Sequence, residues 1–256
     1  QNVLALSVTQ PIFNYASWMQ LKLAKASVKS AQATYNYAAQ NLITRVATAY
    51  LNVLQAEDNL QYTQAQVRAL KRQMDQAQQR YKVGLDTMTT VYLAQASYDQ
   101  MVSQEISNKN LLYISFENLR TLTNKSYPYV APLKSDNVPL IKPVPADPKV
   151  WVDTALNQNY SLLSSKYTME ATRSNISVQQ GGHYPTLDFE GGYEYTTNNS
   201  TADAVAPTGN NTVVGLNLTL PLYQGGLISS QTRQAEYQYE TAAANYQSSY
   251  LNTLVS

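Results

Sequence analysis

Asp188, Glu190 and Glu194 lie two and four residues apart within the stretch Leu187 to Tyr195, so in an extended chain they share one face. Three carboxylates so placed favour cations, and if several copies lined a pore they would form acidic rings. Solvated strand acids with no effect on conduction would leave the same pattern. Nothing nearby completes a reacting set. His183 is the only histidine and cysteine is absent, which leaves almost nothing for a zinc or thiol site. His183 itself reads as a structural residue at a helix-to-strand turn. No nucleophile–base pair and no phosphate loop is found, and Gly181-Gly182, Gly191-Gly192 and Gly225-Gly226 all fall at junctions where a backbone role suffices. The expectation is a protein that is not an enzyme, with no cofactor and no metal.

The acids belong to one of three alternating stretches. Leu187, Phe189, Gly191, Tyr193 and Tyr195 occupy the face opposite them. Residues 2 to 10 place Leu4, Leu6 and Val8 against Ala5, Ser7 and Thr9, with Pro11 expected to close the strand. Residues 213 to 222 set Val214, Leu216, Leu218 and Leu220 against Gly215, Asn217 and Thr219. Each is a period-2 strand with one apolar face. Residues 196 to 211, rich in Asn, Thr, Ser, Gly and Pro, read as an exposed loop.

Between the first two strands the chain is helical. From Pro11 to Gly84 there are 72 residues without Gly or Pro. Leu42, Val46, Ala49, Val53, Ala56, Leu60, Thr63, Val67, Leu70, Met74, Ala77 and Tyr81 follow in alternating steps of four and three. That 3.5-residue period is a coiled-coil seam. A helix of this length is roughly 105 Å at 1.5 Å per residue, too long for a compact domain. Gly84 breaks it, and a helical pattern resumes at Thr89 or Thr90 and runs to about Asn124, which predicts an antiparallel hairpin. Six of the ten prolines fall between 127 and 148, an extended segment. Helices over about 150–158 and 161–180 follow, and another after Gly226.

Composition narrows the partners. With 18 basic and 17 acidic residues the net charge is +1, so no nucleic-acid footprint is expected. No apolar run approaches a transmembrane helix. Tyrosine is abundant at 21, against 3 Phe and 2 Trp, which favours surfaces apolar on one side and wet on the other.

Leu6 to Asn14 superimposes on Leu216 to Gln224 at an offset of 210, with Thr9 on Thr219, Pro11 on Pro221 and Phe13 on Tyr223. A long helix follows each copy, so the chain carries an internal repeat. The repeat predicts a longer native chain with four strands and two long helical hairpins. The opening residues already read as a strand, so any targeting segment is expected to be removed or to lie outside this stretch. A sheet with one wholly apolar face and no second sheet to cover it suits a lipid-facing barrel. Phe13, Tyr15, Trp18, Tyr184 and Tyr223 cluster at the helix end of the strands, as an interfacial belt would, although simple packing at a strand–helix junction would also place them there. Four strands cannot close alone, and three copies supply twelve.

Thr9-Gln10-Pro11-Ile12-Phe13, Tyr81-Lys82-Val83-Gly84-Leu85, Gly182-His183-Tyr184-Pro185-Thr186-Leu187-Asp188 and Leu220-Pro221-Leu222-Tyr223-Gln224-Gly225-Gly226 resemble, in order, the TolC family of outer-membrane efflux and secretion channels. The resemblance implies a mainly α fold with membrane β-strands, whose long antiparallel helical hairpins form an α-barrel continuous with a trimeric 12-stranded outer-membrane β-barrel. Residues 1–12 and 184–223 would supply the strands and an extracellular loop at 196–211. Residues 13–126 and 224–256 would form the periplasmic helical barrel, and 127–183 an equatorial belt. The implied partners are two further copies of the chain, a periplasmic adaptor, an inner-membrane transporter and outer-membrane lipid. Val83, Gly84 and Leu85 match the family's adaptor-docking tip, and Thr89 a position near the periplasmic constriction. The expected function is the outer-membrane exit duct of a tripartite efflux or type I secretion system. The competing reading is a trimeric coiled-coil structural or adhesive fibre, which the reversal at Gly84 and the repeat argue against.

Overall fold

A computed structural model describes residues 2–133, 143–197 and 209–255. The remainder of the Pro-rich stretch (134–142) and most of the expected loop (198–208) lie outside the described residues. The elements are β1 (Asn2–Asn14), α1 (Tyr15–Lys82), α2 (Met88–Thr123), α3 (Pro148–Gln158), α4 (Tyr160–Gln180), β2 (Thr186–Thr197), β3 (Gly209–Thr219) and α5 (Leu227–Val255). They fall into two compact units, one formed by residues 1–37 with 143–256 and the other by residues 38–142.

In the first unit the strands form one antiparallel sheet ordered β1-β2-β3. Their register aligns the alternation of all three. Leu6 pairs with Tyr193 and Val8 with Gly191, while Leu187 pairs with Leu218, Phe189 with Leu216 and Gly191 with Val214. Because side chains alternate with a period of two, a slip of one residue in either pairing would have mixed the faces. The leucines are exposed: Leu4 is 68%, Leu6 67%, Leu216 66% and Leu218 67% accessible. So the sheet presents a continuous apolar surface that nothing in this chain covers among the described residues.

Several strand boundaries differ from the alternation. Pro11 does not close β1, which continues to Asn14 with a register shift between Pro11 and Phe13. A proline lacks the ladder donor but is tolerated on an outer strand and at a bulge, and β1 is both. At the other end the ladder runs past the last apolar residue, pairing Thr196 with Gly209, because backbone bonds do not need apolar side chains to continue. Leu220 falls outside β3, which ends at Thr219, two residues before Pro221.

The helices of this unit pack through small and hydroxylic residues. The Ser30 hydroxyl lies 2.9 Å from that of Thr168 and bonds the Ser164 carbonyl at 3.2 Å, and the Thr34 and Ser164 hydroxyls are 2.8 Å apart. These tie α1 to α4, and Ser165 meets Ser249 of α5 at 3.1 Å. On α5 Ile228, Thr232, Ala235, Tyr239, Ala242, Tyr246, Ser249 and Thr253 are buried or half-buried, with Ala243 and Tyr250 half-buried beside them; the first eight alternate in fours and threes and make a second seam. Gly181 opens the short 3₁₀ turn Gly181–His183 with ordinary right-handed backbone, φ −55°. Its glycine is required for another reason: a Cβ there would lie 2.7 Å from the Ala16 Cβ and 2.8 Å from the Ala16 Cα. The contact is backbone against backbone and has no flexible partner to yield.

The second unit holds the hairpin of α1 (from residue 38) and α2. They run antiparallel: Val53 meets Leu119, Thr63 meets Asn108, and Arg80 meets Asp86 at the reversal. Val46, Ala49, Val53, Ala56, Leu60, Thr63, Val67, Leu70, Met74 and Ala77 are buried or half-buried, so the seam holds over ten positions. Its two ends do not: Leu42 and Tyr81 are exposed. Tyr81 lies at the reversal, where α1 stops, and Leu42 instead lines an apolar groove of about 670 Å³ with Ile43, Tyr127 and Val130. The core is Ala49, Val53 and Leu119, with Leu112, Phe116 and Tyr127 packed around it. Thr63, the one polar residue of the seam, is buried; it accepts from Asn108 Nδ2 at 2.7 Å and donates to the Asn59 carbonyl at 2.8 Å. A satisfied polar layer inside an apolar seam defines which turn of α2 faces which turn of α1.

Candidate functional site

No helix is long and apolar enough to cross a membrane among the described residues. The candidate sites lie at the hairpin tip, on the two sheet faces, at the strand–helix junction and in a groove beside α1.

At the tip the chain reverses through a Schellman turn. The Leu85 amide donates to the Arg80 carbonyl at 2.9 Å and the Gly84 amide to the Tyr81 carbonyl at 3.0 Å, with Gly84 at φ +75°. This left-handed position suits glycine because it has no Cβ. Val83 and Leu85 flank it at 69% and 68% exposure, so the reversal presents two bare aliphatic side chains around a glycine with open space above it. A polar clip sits beneath. Asp86 Oδ2 is 3.3 Å from Arg80 Nε, Asp86 Oδ1 accepts from the Thr87 amide at 3.0 Å, and Thr87 caps α2 by accepting from the Thr90 amide. Thr89, the position expected near a constriction, is exposed, and the threonines engaged at the turn are Thr87 and Thr90.

Hydrogen bonds from Thr90 and the Thr87 backbone, together with Arg80, hold the Asp86 carboxyl below its ordinary value. Lowering the folded-state pKa means the unfolded chain binds the proton more readily. The stabilisation is therefore complete above the ordinary carboxylate range and is lost as pH falls through it towards the lowered value. Protection of the amides at residues 83–87, their exchange rate relative to the intrinsic rate at each pH, is expected to fall on acidification through that window, whereas Asp86→Asn should show the lower protection at every pH. Equal pH profiles for the two proteins would contradict this.

On the sheet, Asp188, Glu190 and Glu194 lie on the face opposite the leucines. Their neighbours across the strands are Pro11, Thr9 and Ala5 on one side and Asn217, Gly215 and Asn211 on the other. The Asn217 amide reaches Glu190 Oε1 at 3.5 Å, and the Thr196 hydroxyl reaches Glu194 Oε1 at 3.3 Å. No cation of this chain pairs with them among the described residues, and no metal-ligating cluster is formed there.

The junction brings four of the five expected aromatics together. Phe13 and Trp18 meet edge-to-face with centroids 5.1 Å apart, and Tyr15 stacks on Tyr184 at 4.6 Å. Tyr223 stands apart, 87% exposed. The two copies of the repeat differ here: β1 runs directly into α1, while β3 and α5 are separated by residues 220–226, in which Gly225 and Gly226 adopt φ +59° and +80°. At the same offset of 210 the counterpart of Trp18 is Ile228, so α5 offers Tyr223 no ring at that position.

Two features of α1 were not found by reading the sequence. Leu21, Ala24, Val28, Ala31 and Tyr35 alternate in threes and fours and are all exposed, forming a second apolar stripe besides the one facing α4. The signal is present in the spacing, but it spans only five positions beside the twelve of the seam at 42–81. Lys22, Lys25 and Lys29 form a third stripe, which with Arg173 of α4 lines a groove of about 720 Å³. Only the fold brings Arg173 to it.

The model of the outer membrane efflux protein family matches residues 1–125 and 151–256. The chain is 36% identical to the outer membrane protein TolC of Vibrio cholerae over 248 residues, covering 96% of this chain and 56% of that protein. It is 26% identical to the alkaline protease secretion protein AprF of Pseudomonas aeruginosa over 249 residues, covering 93% of this chain and 50% of that one. Its fold is similar to the Campylobacter jejuni CmeC outer membrane channel, with a TM-score of 0.77 at 18% identity, over 97% of this chain and 52% of that one. The chain thus spans about half the length of the relatives it matches.

Proposed function

This chain belongs to the outer membrane efflux protein family, and from that premise we propose that it is part of the exit duct of a tripartite efflux or type I secretion system. The protein is a transport channel of the bacterial outer membrane, reaching into the periplasm, and not an enzyme. The observation that carries this reading is the register of the sheet, which gathers the leucines of β1, β2 and β3 on one exposed face and the acids on the other. Lipid takes such a face only from a closed barrel, and three strands with both outer edges free need further strands to close. Three copies of a four-stranded chain would make the twelve-stranded barrel.

The second, uncovered stripe on α1 supports the helical part of the reading. A helix in a closed ring touches a neighbour on each side, and α1 has apolar residues for two neighbours while α4 occupies one stripe. The other neighbour would be a helix from the remaining half of the protein or from an adjacent copy. In this arrangement residues 13–126 and 224–256 build the periplasmic tube, and 127–183 the belt around it. Val83, Gly84 and Leu85 form the adaptor-docking tip, with Thr89 close to the periplasmic constriction. Phe13, Tyr15, Trp18, Tyr184 and Tyr223 mark the periplasmic boundary between the outer membrane and water, at the helix end of the barrel. An inner-membrane transporter and a periplasmic adaptor complete the assembly.

Reconstitution of the full-length protein in planar bilayers tests the duct. Discrete channel openings from a trimeric species are expected; a fibre would give none. In the same experiment Asp188→Asn, Glu190→Gln and Glu194→Gln combined are expected to lower the cation preference at least severalfold while the openings persist, because three copies of each acid line the lumen. Unchanged ion selectivity would remove the acids from that role.

A further inference from the structure

The cations of the groove between α1 and α4 lie outside every contact so far assigned. Lys22, Lys25 and Lys29 follow at i, i+3 and i+7, which places them on one side of α1, and Arg173 faces them from α4 across a space of about 720 Å³. This is four of the chain's 18 basic residues in one groove, in a chain only 14% charged. Against them stands one acid, Glu170, and it forms no ion pair with them among the described residues. Lys29 is instead 5.6 Å above the Tyr167 ring. The floor is Ala26, which is buried, and Ser174, whose hydroxyl is turned to the Glu170 carbonyl. Like charges at this spacing destabilise a helix, so the cluster costs stability unless an anion meets it.

We propose that this groove docks an acidic polypeptide segment, a helix or extended strand carrying several Asp or Glu along one side. Three arguments select that occupant. First, the stripe stays free in the assembled tube. At 100° per residue the lysines lie on neither the α4-facing stripe (Met19, Leu23, Ala26, Ser30, Ala33) nor the uncovered apolar one (Leu21, Ala24, Val28, Ala31, Tyr35), so helix neighbours on both sides leave them open. Second, the cations are strung along the helix. Lys22 to Lys29 covers about 10 Å at 1.5 Å per residue, too long for one small anion and suited to a ladder of carboxylates. Third, the position is wrong for lipid. Lys25 and Lys29 lie about 16 and 22 Å along α1 from the end of β1, beyond a headgroup layer that extends only about 5–8 Å past the hydrocarbon. The first argument rests on the proposed reading of the helices as a closed tube and the third on that of the sheet as the membrane barrel.

The test uses the full-length protein, purified in detergent as its native oligomer, and a fluorescent glutamate-rich helical peptide followed by anisotropy. Saturable binding is expected, weakening as salt rises because exposed charges are screened. The combined variant Lys22→Gln, Lys25→Gln, Lys29→Gln, Arg173→Gln should bind at least tenfold more weakly, while Lys22→Arg, Lys25→Arg, Lys29→Arg should retain binding and show that charge, rather than shape, is read. Equal binding by the parent and the glutamine variant overturns the proposal. So does displacement of the peptide by millimolar inorganic phosphate, which would mark a small-anion site. Preferential binding of phosphatidylglycerol vesicles, lost in the same variant, would also overturn it in favour of a membrane contact. Bilayer conductance of the same parent preparation reports on the duct separately, so a failure of the groove is distinguishable from a failure of the channel.

Discussion

Leu6→Arg is expected to prevent the protein from accumulating as a trimer in the outer membrane. Leu6 lies at the middle of the apolar stretch of β1, opposite Tyr193, and is exposed. An arginine facing lipid near the midplane costs roughly 2–4 kcal/mol, and a trimer would carry three. Ser7→Arg is the matched control. It pairs with Gly192, where a side chain meets open space, and on the acidic face an added cation stays in water. Trimer content of the outer-membrane fraction, read by heat-dependent gel migration, is expected to collapse for Leu6→Arg and persist for Ser7→Arg. The opposite result would mean that the leucine face packs against protein in water and that the barrel reading is wrong.

Val53→Asp is expected to be the most damaging change in the helical hairpin. Val53 is fully buried between α1 and α2, against Ala49 and Leu119. Its burial contributes about 1.5–3 kcal/mol. A carboxylate there has no partner and must either stay charged in an apolar seam or take up a proton, a penalty on the order of 3–5 kcal/mol. Gln61→Asp, two turns along on the exposed side of the same helix, should stay within about 0.5 kcal/mol. Limited proteolysis with thermal unfolding checks the pair. Rapid cleavage within 38–123 is expected for Val53→Asp only, and equal resistance of the two variants would show that the seam is not what holds the hairpin.

Much of this architecture was legible in the residues. The long helix expected between Pro11 and Gly84 is Tyr15–Lys82, because 72 residues without a breaker and with a 3.5-residue period leave few alternatives. The reversal at Gly84 was equally plain, since a helix that restarts within a few residues must fold back. The strand alternation was correct and its ends were not. Side-chain pattern reports which residues meet lipid or water, whereas ladder ends follow backbone pairing, which carried β2 and β3 past their last apolar residue and β1 past Pro11. The repeat overstated the likeness of its two copies. Phe13 and Tyr223 match in sequence, but only Phe13 finds a ring to pack on.

Local pattern, by its periods of 2 and 3.5, thus determined which segments are strands, which are rods and which face of each is apolar. It could do so because each period is a property of one segment. The register that brings three apolar faces to one side of the sheet was decided only in three dimensions. So were the close passage of Gly181 against Ala16, the bond between Thr63 and Asn108, and the meeting of Arg173 with three lysines. The last three depend on residues between 45 and 165 positions apart in the chain, and no period within either segment encodes which partner it will meet.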